Sequence, residues 1–358
     1  MTRRSVELAT ISKSDISELL PNVIAARIEE AADRKMIGKQ TMIVNNDLKA
    51  VPGQDTIKFT AVAEAPMAQD ISPGATFPSA DWTVTSHLTV TVSKKGHSVA
   101  IQREVLKAGS RDVVQMSLDR LADSLARKAD YEVLKNELEV GTVNTDTFTG
   151  DGSTKSFTIA SGNRPVAFVD SATGTVGGVA STDLEVLTVD PRTGVVTVNK
   201  AADSGTTVTI KSYKIGCNYI QCATADKITV SELRQARGKI TASRFEPDVL
   251  ICGEEFYAIL VTNLDSLFVD KAKYSAGTEL LNFEVGQIMG MKVIITTELN
   301  PKLAILKDSD RASVWVDKEG VVIEHKYEQS NQTRSIYASQ MYGLGVLQSN
   351  AHCAMILQ

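Results

Sequence analysis

The chain has 358 residues, with 38 Lys and Arg against 43 Asp and Glu, a formal charge of −5. At about 150 residues per domain this length predicts two or three domains, and a hydrophobic fraction of 43% with 23% charged residues excludes a mainly disordered chain. The longest apolar runs fall well short of the ~18 residues of a membrane helix, the opening MTRRSVELATISKSD lacks the apolar segment of a secretory signal, and the negative balance argues against a surface that wraps nucleic acid as a whole.

In chain order, residues 14–36 predict a helix. Ser14 can cap it, and Ile24, Ile28, Ala31 and Ala32 fall at helical spacing. Pro21 either kinks it or starts a second piece. Such an arm packs on its own core or docks on a neighbouring subunit. Residues 56–62 and 82–92 alternate with the period of strands. Between them, Pro66, Pro73, Gly74 and Pro78 exclude a helix. The pattern describes a two-stranded ribbon with an irregular tip. A lone ribbon is marginal in water, so either the rest of the chain or a partner covers it. Residues 94–97 (Lys-Lys-Gly-His) read as a turn and 98–104 as a further extended piece.

The strongest helix is 111–139. Val114, Leu118, Leu121, Leu125, Ala129, Val133 and Leu138 form one apolar stripe, and Asp119, Arg120, Asp123, Arg127 and Lys128 lie largely off it. At 1.5 Å per residue such a helix spans about 43 Å, enough for the spine of a domain. Composition then changes. Residues 143–213 contain 14 Thr and 8 Gly but no Met, His, Cys or Trp. Short alternating pieces at 156–159, 166–169, 184–189, 195–198 and 206–210 are separated by turn sequences, the signature of a small β-sandwich or barrel. Helical patterning resumes afterwards, so this stretch is read as a domain inserted into a loop.

Thr229-Val230-Ser231-Glu232 has the form of a capping box opening a helix to about 242. A strand at 248–252, a helix at 254–264 and a strand at 291–296 follow. The last third reads as strands at 303–306, 313–316, 321–325, 334–346 (broken at Gly343 and Gly345) and 352–357.

Catalytic signatures are missing. There is no phosphate-binding glycine loop, nucleophile elbow or His-Glu-x-x-His. Gly343-Leu344-Gly345 lacks a third glycine and sits late in a strand. Glu324 and His325 are adjacent in a strand and point to opposite faces. Cys217, Cys222, Cys252 and Cys353 are too few for a disulfide framework. Only His87, His97, His325 and His352 could complete a zinc site with them. We expect free thiols, no metal, no cofactor and no enzymatic activity.

The order of helical arm, ribbon, spine helix, mixed α/β region and terminal strands resembles that of tailed-virus major capsid proteins of the Hong Kong 97 fold. The resemblance rests on the ribbon at 56–92 and on Lys95-Gly96-His97-Ser98-Val99-Ala100-Ile101-Gln102-Arg103-Glu104-Val105-Leu106 leading into the helix through Leu125-Ala126-Arg127-Lys128-Ala129-Asp130. It rests also on Pro247-Asp248-Val249-Leu250-Ile251 and Gly286-Gln287-Ile288-Met289-Gly290-Met291-Lys292-Val293. Phe148-Thr149-Gly150-Asp151-Gly152-Ser153 and Asp190-Pro191-Arg192-Thr193-Gly194-Val195 resemble β-rich modules of phage structural proteins.

The resemblance implies an α+β chain with an N-terminal helical arm (1–50), an extended β-ribbon loop and junction (51–104) and a peripheral-domain spine helix (105–142). An inserted all-β domain (143–213), an axial domain (214–300) and C-terminal strands of the peripheral and axial core (301–358) complete it. It implies self-assembly as pentamers and hexamers into an icosahedral shell around double-stranded DNA, with portal, scaffolding and decoration proteins as partners. DNA contact would be weak and non-specific, and no membrane is involved. The location would be the virion capsid, assembled in the host cytoplasm. The helical arm begins within about 14 residues of Met1, so any scaffolding function is expected from a separate protein. Ile57, Phe59, Trp82, Val84, Leu88 and Val90 are the residues expected to offer apolar faces to an adjoining subunit. An encapsulin shell enclosing protein cargo is the alternative of the same fold. A surface binding protein built on the β module is a third reading, and it predicts a secretion signal.

Overall fold

A helix and two large sheets organise the chain, described here from a computed structural model over residues 36–51, 53–62, 84–102, 111–264, 268–270, 284–328 and 333–358. The helix expected at 14–36 lies, apart from Met36, outside the described residues, as do the ribbon tip at 64–81 and Trp82.

The long helix, α1, runs Arg111–Glu137, about 40 Å at 1.5 Å per residue. Leu121, Leu125, Ala129 and Val133 recur every fourth residue, and all are buried. They pack on one face of a four-stranded sheet in the order Ile43–Asn45, Ser313–Glu328, Thr333–Val346 and Ser93–Gln102. There they meet Trp315, Ile323, Ile336 and Tyr342. Trp315 stacks on Tyr342 with ring centroids 4.2 Å apart, and the Tyr342 hydroxyl donates to Glu132 of α1 at 3.0 Å. Asp130 accepts the backbone N–H groups of Ile37 and Gly38, both at 2.9 Å, and so ties the preceding segment to the helix.

Expectations fail at two turn-like stretches of this sheet. Lys94-Lys95-Gly96-His97 is no turn, because it lies inside Ser93–Gln102 and pairs residue for residue with Thr333–Tyr342. Sheet pairing overrides the local composition. The strands expected at 313–316 and 321–325 are one strand, Ser313–Glu328. Its Asp317-Lys318-Glu319-Gly320 stretch is absorbed as register shifts rather than as a turn.

The second sheet has seven strands, in the order Tyr219–Gln221, His352–Ile356, Leu303–Lys307, Val249–Cys252, Met291–Ile295, Glu284–Ile288 and Phe268–Asp270. The central strands are mostly apolar because both faces are covered, with Lys307 and His352 as buried exceptions. Leu250, Cys252, Ala304, Leu306, Cys353 and Met355 face helices α2 (Val230–Thr241) and α3 (Glu254–Leu264). Val249, Ile251, Leu303, Ile305, Ala354 and Ile356 face the end of α1. The capping box of α2 forms as the sequence predicts. Thr229 Oγ1 accepts from Glu232 N, and Glu232 Oε2 accepts from Thr229 N at 2.8 Å.

Residues 144–214 form two sheets of their own. One contains Asn144–Thr149, Thr207–Lys214, Val166–Val176 and Val179–Asp183, and the other Ser156–Thr158, Val195–Val198 and Val186–Val189. Phe157, Ile159, Val166, Leu184, Val196 and Ile210 are among the side chains of the core between them. The strands at 144–149 and 179–183 lack a strong apolar alternation and were not expected. The first and last strands pair, Asn144 opposite Ser212, so the stretch leaves the chain where it enters it.

The β unit also leans on the rest. Ala167 and Phe168 enter the core beneath the seven-stranded sheet, and Phe168 meets Tyr131 of α1 edge-on at 5.1 Å. Arg192 donates to Cys222 O at 3.0 Å and to Gln358 Oε1 at 2.7 Å, and Asn300 Nδ2 donates to Val189 O at 3.0 Å. Replacing 145–212 by a short Gly/Ser linker should therefore leave a folded but weaker remainder. The expected loss is roughly 1.5–3 kcal/mol for uncovering what one buried Phe covers, read by urea denaturation. A remainder with no cooperative transition would place the unit inside the main core.

Candidate assembly surface

The ribbon is built from Thr56–Val62 and Val84–Thr91, paired antiparallel with Ile57 opposite Val90 and Phe59 opposite Leu88. Alternation puts those four on one face, while Thr56, Lys58, Thr60, Thr89 and Thr91 stand exposed on the other. The apolar face lies on the side of the four-stranded sheet opposite α1. There Leu48, Val90, Val92, Val314 and Val316 form a small core, with Ile57, Phe59, Leu88 and Leu347 partly buried against it. The base of the ribbon is thus covered by its own chain.

The seat for this crossing is made by the two glycines late in Thr333–Val346. A Cβ on Gly345 would stand 2.6 Å from Val90 Cγ2 and 2.9 Å from Leu88 Cδ2. One on Gly343 would stand 2.8 Å from the backbone oxygen of Thr91. The strand is not broken at these positions, as the sequence suggested, but passes through them in continuous pairing with Ser313–Glu328. Glycine serves here for close approach rather than for an unusual backbone angle.

The expected interface residues divide accordingly. Val90, 1% exposed, is a core residue of its own subunit. Ile57, Phe59 and Leu88 are half-buried and keep surface. Val84 lies in the ribbon opposite Val62, with its side chain outside the description, and Trp82 is outside the described residues. Phe59 and Leu88 border an open cavity of about 710 Å³ whose wall includes Ile43, Phe245, Val346 and Leu347. Among the described residues, Ile43, Val44 and Val51 belong to the exposed large apolar side chains. Sequence reading missed this concavity because its walls come from six separate stretches.

Ion pairs brace the sheet and the start of the ribbon. Lys318 pairs with Asp55, and Lys49 with Asp317 at 2.9 Å. Lys95 pairs with Glu132 of α1 at 3.1 Å. Burial pushes the Glu132 carboxyl up, but Lys95, Lys128 and the Tyr342 hydroxyl outweigh it and hold the group below its usual range.

Little else in the described residues offers chemistry. All four cysteines are buried and unpaired. Burial pushes the Cys222 thiol up to about 12 and that of Cys353 to about 11, and it raises Cys217 and Cys252 as well. Such thiols stay protonated at neutral pH and are poor nucleophiles. Among the described residues no three His, Cys, Asp or Glu side chains gather as a metal site. None of the described helices is long and apolar enough to cross a membrane.

No protein-family model matches this sequence, and no curated protein matches it. Solved structures do. A chain of Gordonia phage Cozz superposes with a TM-score of 0.52 at 13% identity, over 90% of this chain and 86% of that one. The capsid structure of Cyanophage P-SCSP1u gives 0.51 at 11% identity, over 89% and 86%. The virus-like particle from Pyrococcus furiosus gives 0.52 at 10% identity, over 94% and 99%. The chain therefore has an α+β fold of the phage-capsid kind, as the resemblance to the Hong Kong 97 class implies. At these identities the likeness is one of fold.

Proposed function

We propose that the protein is the major capsid protein of a tailed phage, a structural protein that acts by association rather than catalysis. It assembles as pentamers and hexamers into an icosahedral shell enclosing double-stranded DNA. The observation that carries this reading is a likeness spanning about nine-tenths of both chains, here and in a phage capsid structure. In this reading α1 with the four-stranded sheet is the peripheral domain, the seven-stranded sheet the axial domain and 143–213 an inserted domain. The ribbon reaches over a neighbouring subunit. Its far part, with Val84 and Trp82, makes that contact together with the exposed surface of Ile57, Phe59 and Leu88, while Val90 anchors the base. Portal, scaffolding and decoration proteins are its partners, DNA touches it weakly, and it resides in the virion after assembly in the host cytoplasm.

A shell around protein cargo is the second reading, favoured by the match to 99% of the Pyrococcus virus-like-particle chain. Expression followed by negative-stain microscopy tests both. Closed shells are expected, and Trp82→Ala should lower their yield while the subunit stays folded. Nucleic acid inside shells recovered from infected cells supports the first reading, and co-purifying protein cargo the second. Strictly monomeric scattering at all salt and protein concentrations, even with neighbouring phage genes co-expressed, overturns both.

A further inference from the structure

The end of α1 is built against local preference. Glu137 and Glu139 stand at its C-terminus, where the helix dipole disfavours acids. Glu139 N donates to Asn136 O at 3.0 Å and Val140 N to Lys135 O at 3.3 Å, the pair of bonds that closes a Schellman turn. The residue at the left-handed position of that turn is ordinarily glycine, yet here it is Glu139, at φ +46°. Gly216 completes the geometry. Its N–H donates to Leu138 O at 2.9 Å, and a Cβ on it would lie 2.2 Å from Glu139 O.

Both acids meet bases from the seven-stranded sheet. Glu139 Oε1 lies 2.9 Å from Nε2 of His352, whose side chain is fully buried. Glu137 Oε1 lies 2.5 Å from Lys307 Nζ, both side chains at 0% exposure. Lys307 and His352 are direct neighbours across paired strands, so the two pairs sit side by side. Thr41 and Ser313 complete the surroundings of Lys307.

We propose that Glu139 and His352 form a proton-operated clasp, which holds the end of α1 on the seven-stranded sheet near neutral pH and opens in acid. The backbone strain at Glu139 is tolerated because only a side chain there reaches the imidazole. Burial pushes the Glu139 carboxyl up, but its contacts with His352 and Ser349 outweigh it, so the group sits below the ordinary glutamate range. An acid depressed in the folded state contributes stability that is complete above its unfolded value, about 4.3, and is lost as pH falls through the folded one. The other groups facing the clasp are Glu137 and Lys307 and the thiols of Cys217 and Cys353. The Cys217 thiol is raised by burial and then by Cys353 and Glu139. Asp130, about two turns earlier on α1, titrates in the opposite sense. Burial pushes it up to about 6 against the bonds from Gly38 and Ile37, so it favours the fold as pH falls from 6 towards 4. A global melting curve would mix the two, and the test must be local.

That test is hydrogen exchange of the full chain between pH 6 and pH 3, corrected for intrinsic rates and read over 133–142 and 350–357. Wild-type protection should fall by up to about tenfold per pH unit at the acid end, the limit for one linked proton. In Glu139→Gly, which relieves the strain and removes the carboxylate, protection at pH 6 should be lower and the acid-end fall absent. Should that variant fail to fold, Glu139→Gln makes the same comparison without changing the backbone. Equal slopes in variant and wild type, no slope in wild type, or equal or greater protection in Glu139→Gly at pH 6 would each overturn the clasp.

Discussion

Lys307→Ala should destabilise the protein by about 3–5 kcal/mol, the usual result of removing one partner from a buried ion pair. Its ammonium is enclosed, with Glu137 at 2.5 Å and the Ser313 hydroxyl, which itself donates to Glu137 at 2.5 Å. Alanine leaves the carboxylate dry and without a counter-charge. Lys307→Met should fare little better, because the volume is filled but the charge is still stranded. Combining it with Glu137→Leu should recover most of the loss, since apolar replacement of both partners is often neutral or better. Urea midpoints of the three variants decide it. If Lys307→Ala lowers the stability derived from them by less than about 1 kcal/mol, water must reach Glu137 and the site is not closed.

The second large effect is expected at the ribbon seat. Gly345→Ala places a methyl 2.6 Å from Val90 Cγ2, and overpacking of this kind costs typically ~1–3 kcal/mol. Val90→Ala alone costs a similar amount by opening a cavity. The double variant should be less unstable than the sum of the two, because each removes the other's clash or void. Strict additivity in a double-mutant cycle would mean that ribbon and strand do not touch here. Exchange at 88–92 should rise in the Gly345 variant while the buried face of α1 stays protected, since α1 and the ribbon lie on opposite faces of the same sheet.

What could be read from the sequence follows contact range. The α1 stripe from Leu121 onward, the Thr229–Glu232 box and the apolar strands expected at 248–252 and 303–306 are set by neighbours a few residues away, and within a residue at their ends they stand as expected. Lys94–His97 and Asp317–Gly320 have turn composition, but partners over 200 and about 20 residues distant hold them in strands. Gly343 and Gly345 carry no local signal for their purpose, since the atoms they admit belong to residues 88–91. Lys307 closes the uninterrupted apolar run Leu303-Ala304-Ile305-Leu306, which hints at burial. Lysine's strong preference for the surface masks the hint. The ribbon's alternation was legible, but not which body its apolar face meets.

The pairing of Asn144 with Ser212 has a kinetic side. Joining α1 to Ile215 through an unstructured chain of some 70 residues would carry a large closure entropy, growing with the logarithm of its length. The β unit is made of contacts within its own span, so it can form before the distant strands find one another. Once it has, its two ends are already adjacent, and Gly216 is delivered to Leu138 with almost no search left to make. On the ribosome the unit is complete before the strands at 249–252, 291–295, 303–307 and 352–356 have all been synthesised. If the unit folds first, the seven-stranded sheet assembles against a helix end already fixed in place, and the stretch guides the order of folding.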